Sequence, residues 1–163
     1  YSQMFLTMEA ELAASHVQNP RLAHNDTKLN NVLLSTENEP PIIIDLDTTM
    51  PGSILFDLGD GLRTIGLSEA EDQVDLTLLD LNLDYYTAFR TAFMHQIASL
   101  LSPAEHSFVS LAGPYMAYIM GLRFLTDFLN GNTYYAVQYP THNLIRSRNQ
   151  FHLLHLMMEE ANG

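Results

Sequence analysis

His24-Asn25-Asp26-Thr27-Lys28-Leu29-Asn30-Asn31, followed at once by the apolar run Val32-Leu33-Leu34, is the stretch from which the rest of the chain can be read. It has the form H-x-D-x-K-x-x-N, with an amide side chain five residues after a carboxylate. Nineteen residues after Asp26, a second apolar run, Ile42-Ile43-Ile44, ends on Asp45. Thr36-Glu37-Asn38-Glu39-Pro40 between the runs is polar and turn-prone, so 32–35 and 41–46 are expected to pair as a small hairpin. A lone H-x-D in a loop reads most simply as a turn closed by an Asx hydrogen bond. The added Asn, the strand behind it and the distant Asp favour phosphoryl transfer instead. That chemistry needs a carboxylate to orient the attacking hydroxyl, and an amide oxygen with a second carboxylate to hold Mg²⁺ against the phosphates. Asp26 then takes the first role, and Asn31 and Asp45 the second.

Working outward, composition narrows the alternatives. The 163 residues suit one domain with a sizeable core, and 47% are apolar against 16% charged, which excludes a disordered tail. The net charge of −12 argues against nucleic acid or an anionic membrane as partner. No apolar run approaches the length of a membrane span, no leader pattern opens the chain, and cysteine is absent, so a cytoplasmic protein without disulfides or Cys-based zinc is expected. Met4, Met8 and Leu12 recur at helical spacing from the very start, with Phe5 beside them. A helix already under way at Tyr1 suggests a piece of a longer protein.

The remaining chain reads as mainly helix. A first helix covers 1–18 and stops before Asn19-Pro20, 54–65 is a short helix or irregular turn, and 84–101 is helical. Ser102-Pro103-Ala104-Glu105 carries an N-terminal capping signal for a long helix to about Leu129, closed by Asn130-Gly131-Asn132. A last helix spans 143–160. Residues 47–53 are expected to be a loop, and 74–83 either strand or extended linker. The fold class is therefore α+β, mainly α, with one hairpin next to the catalytic loop.

The block His24 to Leu34, with Ile44-Asp45 and Phe56-Asp57-Leu58-Gly59-Asp60, resembles the aminoglycoside phosphotransferase and choline kinase superfamily, whose catalytic lobe is related to that of protein kinases. Within it, Ile44-Asp45-Leu46-Asp47-Thr48 to Met50-Pro51-Gly52, then Asp57 to Arg63, Gly121-Leu122-Arg123-Phe124-Leu125-Thr126-Asp127 and Tyr139-Pro140 to His142-Asn143-Leu144 are most similar to N-acetylhexosamine 1-kinases. The resemblance runs from about residue 20 to 150. It implies a kinase-like C-terminal lobe with Asp26 as base for a sugar hydroxyl, Asn31 and Asp45 on Mg²⁺, and ATP as co-substrate. Asp47, Arg123 and Tyr134 would lie along the sugar pocket. His24 and Asp57 would support the catalytic loop, Asp57 through backbone N–H groups, and Lys28 is placed to reach the transferring phosphate. Asn25 stands where Gly is usual, and Thr27-Lys28 where Leu-His is common, which puts the loop's local contacts in question.

Nothing before Asp26 is Gly-rich, and Lys28 is the only lysine, so a nucleotide-anchoring strand Lys is missing from this sequence. Residues 1–163 are accordingly expected to be the C-terminal lobe of a two-lobe phosphotransferase, inactive alone, and able to self-associate through the surface facing the missing lobe. Competing readings are a kinase for another small alcohol (aminoglycoside, choline or homoserine) and a non-catalytic helical interaction domain. Arg123 either meets substrate or pairs with Asp127 one helical turn on. Tyr134 and Tyr135 either pack or stack on sugar. His152 and His155 are solvated or core-edge rather than metal ligands, and Glu69, Glu71 and Asp72 read as acidic surface.

Overall fold

The computed structural model describes residues 1–18, 21–37 and 39–162. It is mainly helical with two very short antiparallel ladders, an α+β lobe of the expected class. Helix α1 (Ser2–Gln18) buries Phe5, Met8 and Leu12 along one stripe, as the spacing requires. Asn19-Pro20, its expected stop, and Asn38 of the hairpin turn lie outside the described residues. Strand β1 (Leu22–Ala23) precedes the His24–Asn31 loop; β2 (Val32–Leu33) and β3 (Ile42–Ile43) form the expected hairpin, with Val32 opposite Ile43 and Leu33 opposite Ile42. The segment expected to be plain loop contains a 3₁₀ turn at Leu46–Thr48 and strand β4 (Met50–Pro51), which pairs with β1 through Leu22–Pro51 and Ala23–Met50. Two residues per strand are too few to show alternation in sequence.

Helix α2 (Ile54–Ile65) resolves the helix-or-turn ambiguity. Ser53 caps it, and Leu55, Leu58 and Leu62 are fully buried. Gly59 is required there: a Cβ would fall 2.3 Å from the Ala112 carbonyl oxygen, so only glycine lets the two helices touch. Residues 67–82 are neither strand nor linker but a folded loop closed by a bridge between Leu67 and Leu81, with a 3₁₀ turn at Leu76–Leu78. Two of its acids also depart from the expected acidic surface. Glu71 accepts from Arg63 at 2.6 Å, and Asp72 lies 3.2 Å from His142 Nε2.

Helix α3 (Leu83–Ile97) ends in a 3₁₀ turn, and the capping box opens α4 (Pro103–Phe108) with Ser102 Oγ and Glu105 Oε2 bonded reciprocally to backbone N–H groups. Glu105 also pairs with Arg21, tying the approach to the catalytic loop to this helix. The expected single helix to Leu129 is broken at Val109–Leu111, and α5 (Ala112–Leu129) starts afresh. Pro114 is the cause: without an N–H, its ring fits only the first turn of a helix. Pro103–Leu129 together is long and apolar enough to cross a membrane by length and composition, contrary to the expectation that no such stretch exists. Here α5 packs chiefly against α6 (His142–Asn162) and α2. Leu153, Leu154 and Met157 of α6 complete the core with Tyr86 and Ala117.

Candidate active site

The loop from His24 to Asn31 is suspended from α2 by polar contacts. Asp57 receives the His24 N–H on Oδ2 and the Asn25 N–H on Oδ1, both at 2.8 Å. Thr27 Oγ1 donates to the Asp57 carbonyl at 2.6 Å, and the Leu29 N–H donates to Thr64 Oγ1 at 3.0 Å. Burial raises the Asp57 carboxyl above its ordinary value, against the two N–H donors and His24, which pull it down. Asn25 adopts a positive φ of 62°, the conformation for which glycine or asparagine is suited. Its amide then donates to the carbonyls of Ala23 (3.2 Å) and Thr48 (3.1 Å), contacts that a glycine could not supply.

This suspension presents Asp26, whose side chain is 27% exposed. Its Oδ2 accepts from Lys28 Nζ at 2.6 Å and Asn31 Nδ2 at 2.8 Å, and no hydrogen bond falls on Oδ1 among the described residues. Asn31 is buried and spends its NH₂ group on Asp26, donating to the backbone carbonyl as well, which leaves its amide oxygen as the free end. The Asn31 carbonyl accepts from the Ile44 N–H at 3.0 Å, and the Ile44 carbonyl in turn accepts from His24 Nε2 at 3.0 Å. Asp45 thus leaves the hairpin directly beside Asn31, exposed, at φ 65°, with no partner among the described residues. Asn31 and Asp45 fit a Mg²⁺ site: two hard oxygens with free lone pairs suit an ion that keeps several waters. Among the described residues no cluster of three or more His, Asp or Glu offers a fuller cage.

A cleft of about 680 Å³ opens in front of Asp26 and Lys28. Arg123, Tyr134 and Tyr135 line it from the far side, so the structure brings Asp26, Lys28, Arg123 and Tyr134 together around one space. Asp47 stands apart, exposed at the corner after the hairpin; its neighbour Thr48 lines the cleft instead. Arg123 does not pair with Asp127. Its guanidinium lies 5.7 Å from the Tyr134 ring centroid and 5.6 Å from that of Tyr135, with a 3.5 Å contact to the Tyr134 hydroxyl. Asp127 is buried and occupied elsewhere: it accepts from the backbone N–H groups of Thr133, Tyr134 and Tyr135 and from Asn143 Nδ2. Although burial pushes its carboxyl upward, the N–H donors of Tyr135, Tyr134 and Thr133 hold it below the ordinary value.

The floor of the cleft carries residues that the sequence did not single out. Arg63, buried, bonds Asp60 at 2.9 Å, Glu71 at 2.6 Å and Gln150 at 3.2 Å, and Arg146 reaches in from α6. Arg63 closes the quoted Asp57-to-Arg63 stretch, but nothing local marks Glu71 or Arg146, whose meeting depends on the 67–82 loop docking on α6. A family model described as the phosphotransferase enzyme family matches residues 3–102, a span that contains Asp26, Asn31, Asp45 and Asp57 and stops before Arg123. With more than half of its length so matched, the chain belongs to the phosphotransferase enzyme family.

Proposed function

We propose that the chain is the catalytic lobe of an ATP-dependent kinase that phosphorylates the anomeric hydroxyl of an N-acetylhexosamine. The observation that carries the substrate class is the charge balance of the cleft. Asp26, Asp60, Glu69 and Glu71 line it, and so do Lys28, Arg63, Arg123 and Arg146. Most of these charges satisfy one another: Lys28 meets Asp26, and Arg63 meets Asp60 and Glu71. Such a lining suits a neutral polyol, which offers donors and acceptors without net charge. An aminoglycoside or a quaternary amine would call for a surplus of carboxylate, since a buried cation needs a counter-charge.

In this reading the free Oδ1 of Asp26 accepts the hydrogen bond of the attacking hydroxyl and takes its proton as the bond to the γ-phosphorus of ATP forms. That phosphorus parts from the bridging oxygen, which leaves with ADP. Lys28 and Asn31 hold the opposite oxygen and so fix the carboxylate's rotation. Lys28 is the nearest cation to the point of transfer and is placed to meet the phosphate once it leaves Oδ2. Mg²⁺ held by Asn31 and Asp45 would supply neutralisation of the phosphate charge. Arg123 and Tyr134 pin the ring from the far wall, with Thr48 at the near corner. The exposed apolar side chains Leu33, Leu34, Ile42, Ile43 and Leu46 around the hairpin are assigned to the face that a nucleotide-covering lobe would meet, and through which the chain alone would self-associate.

A substrate panel with the full-length protein tests this. N-acetylglucosamine or N-acetylgalactosamine should be turned over in preference to glucose, with Mg²⁺ and ATP required. Turnover of choline, homoserine or kanamycin with both N-acetylhexosamines ignored would overturn the substrate assignment and leave the family standing.

A further inference from the structure

The far end of the cleft holds two polar atoms that the folded chain does not satisfy. The Tyr135 phenolic oxygen and Arg146 Nε are both shielded from solvent, and neither has a hydrogen-bond partner among the described residues. Buried polar atoms are nearly always bonded, and an unpaired one is costly, so each points to a missing partner. The two are neighbours. Tyr135 packs on Phe124 with ring centroids 4.8 Å apart, and the Arg146 guanidinium carbon lies 5.5 Å from the same Phe124 ring. Arg146 also donates at 3.3 Å to the carbonyl of Ala136, the residue after Tyr135. Arg146 Nε is 3.9 Å from Glu71 Oε2, an ion-pair distance too long for a hydrogen bond. Both side chains line the cleft that Asp26 lines. Over the Tyr135 ring sits the exposed Arg123, which also lies against the Tyr134 ring and reaches its hydroxyl at 3.5 Å, the limit of hydrogen bonding.

We propose that Tyr135 and Arg146 form a subsite for an acceptor oxygen at the end of the substrate remote from Asp26, uncovered when Arg123 moves onto the ligand. The two side chains offer a phenolic O–H and a guanidinium N–H to the same cleft, and a carbonyl oxygen with two lone pairs can take both. The inference rests on the sugar-kinase reading above and deepens it: the acetamido carbonyl of an N-acetylhexosamine is the matching group, and glucose lacks it. Arg123 and Tyr134 then govern entry, whereas Tyr135 and Arg146 govern the choice between acetylated and plain sugars.

Tyr135→Phe and Arg146→Lys in the full-length protein test it, with KM for N-acetylglucosamine and glucose measured beside Tm. Tyr135→Phe deletes only a hydroxyl that the fold leaves unpaired, so Tm should hold or rise while KM for N-acetylglucosamine increases about tenfold. Arg146→Lys keeps a cation near Glu71 but removes the Nε donor, and should raise the same KM. A KM rise confined to N-acetylglucosamine assigns the carbonyl; an equal rise for both sugars still supports the subsite, with a ring hydroxyl as its acceptor. A lower Tm with unchanged KM would show that a structural water satisfies the hydroxyl and would overturn the proposal. If the wild type ignores both sugars but phosphorylates another alcohol, the hexosamine reading fails on its own. The subsite is then decided by whether Tyr135→Phe raises KM for that alcohol.

Discussion

Two aspartates hang the two sides of the cleft on the helical body, and they do it with different electrostatics. Asp57 on α2 takes the N–H groups of His24 and Asn25, placing the loop that presents Asp26. Asp127 on α5 takes those of Thr133, Tyr134 and Tyr135 and an Asn143 amide proton, placing the aromatic wall opposite. In each case one carboxylate gathers backbone N–H groups that no ladder pairs, and so fixes the loop's course against the helix behind it. The difference lies in the balance between burial and the donors each carboxylate receives. With two backbone donors Asp57 is still dominated by burial and its carboxyl is raised; with three, Asp127 is held below its ordinary value. One loop therefore hangs from an anion that burial penalises, and the other from an anion its donors stabilise.

Removing the two carboxylates separates their roles. Asp57→Ala leaves two catalytic-loop N–H groups unpaired and lets Asp26 shift, so kcat should fall by about 10²-fold or more. The same change should lower stability by about 1–3 kcal/mol. Asp127→Ala loosens the wall that carries Tyr134 and Tyr135, so KM should rise while kcat stays within about threefold, because the reacting end is untouched. Equal losses of kcat in both variants would break the comparison. Steady-state kinetics on full-length protein, with Tm for each variant, decide it.

Acid and base act on the two in opposite senses, with smaller effect. Because the folded-state carboxyl of Asp57 is raised above 3.8, its contribution to stability is full below that value and is lost as pH rises through the raised one. For Asp127, lowered from 3.8, the contribution is full above that value and is lost as pH falls through the depressed one. Unfolding stability measured from pH 3 to 7 should therefore rise relative to wild type toward neutral pH in Asp57→Asn, and lose part of its acid-limb decline in Asp127→Asn. The same slope in both variants would contradict the assignment. Tyr115, pushed up to about 12 mainly by burial and secondarily by Glu9, adds a loss of stability as pH climbs above 10.0, which Tyr115→Phe should reduce.

The same two aspartates mark how far the sequence can be read. The His24–Asn31 motif, the hairpin, the α1 stripe of Phe5, Met8 and Leu12 and the Ser102–Glu105 box all depend on neighbours within a few residues or on strict periodicity. The partner of Asp127 did not: its i, i+4 relation to Arg123 suggested a pair, but the backbone of a loop six to eight residues on competes better for a buried carboxylate. Glu71 and Asp72 looked like solvated acid because Arg63, Arg146 and His142, which they meet, lie on helices brought close only by packing. The break before α5 lies at Pro114, a signal that the continuous apolar run around it masks in the sequence. Strands of two residues, such as β1 and β4, leave no pattern, since their pairing is set by the loops they close.

Asp26 carries the central claim, and one substitution tests it most directly. Asp26→Asn keeps the size of the side chain and an acceptor oxygen but cannot take a proton. In the full-length protein, phosphoryl transfer to the preferred substrate should fall by about 10²–10⁴-fold, with Tm and substrate KM near those of wild type. Turnover within about tenfold of wild type would contradict the account and move the base elsewhere in the cleft.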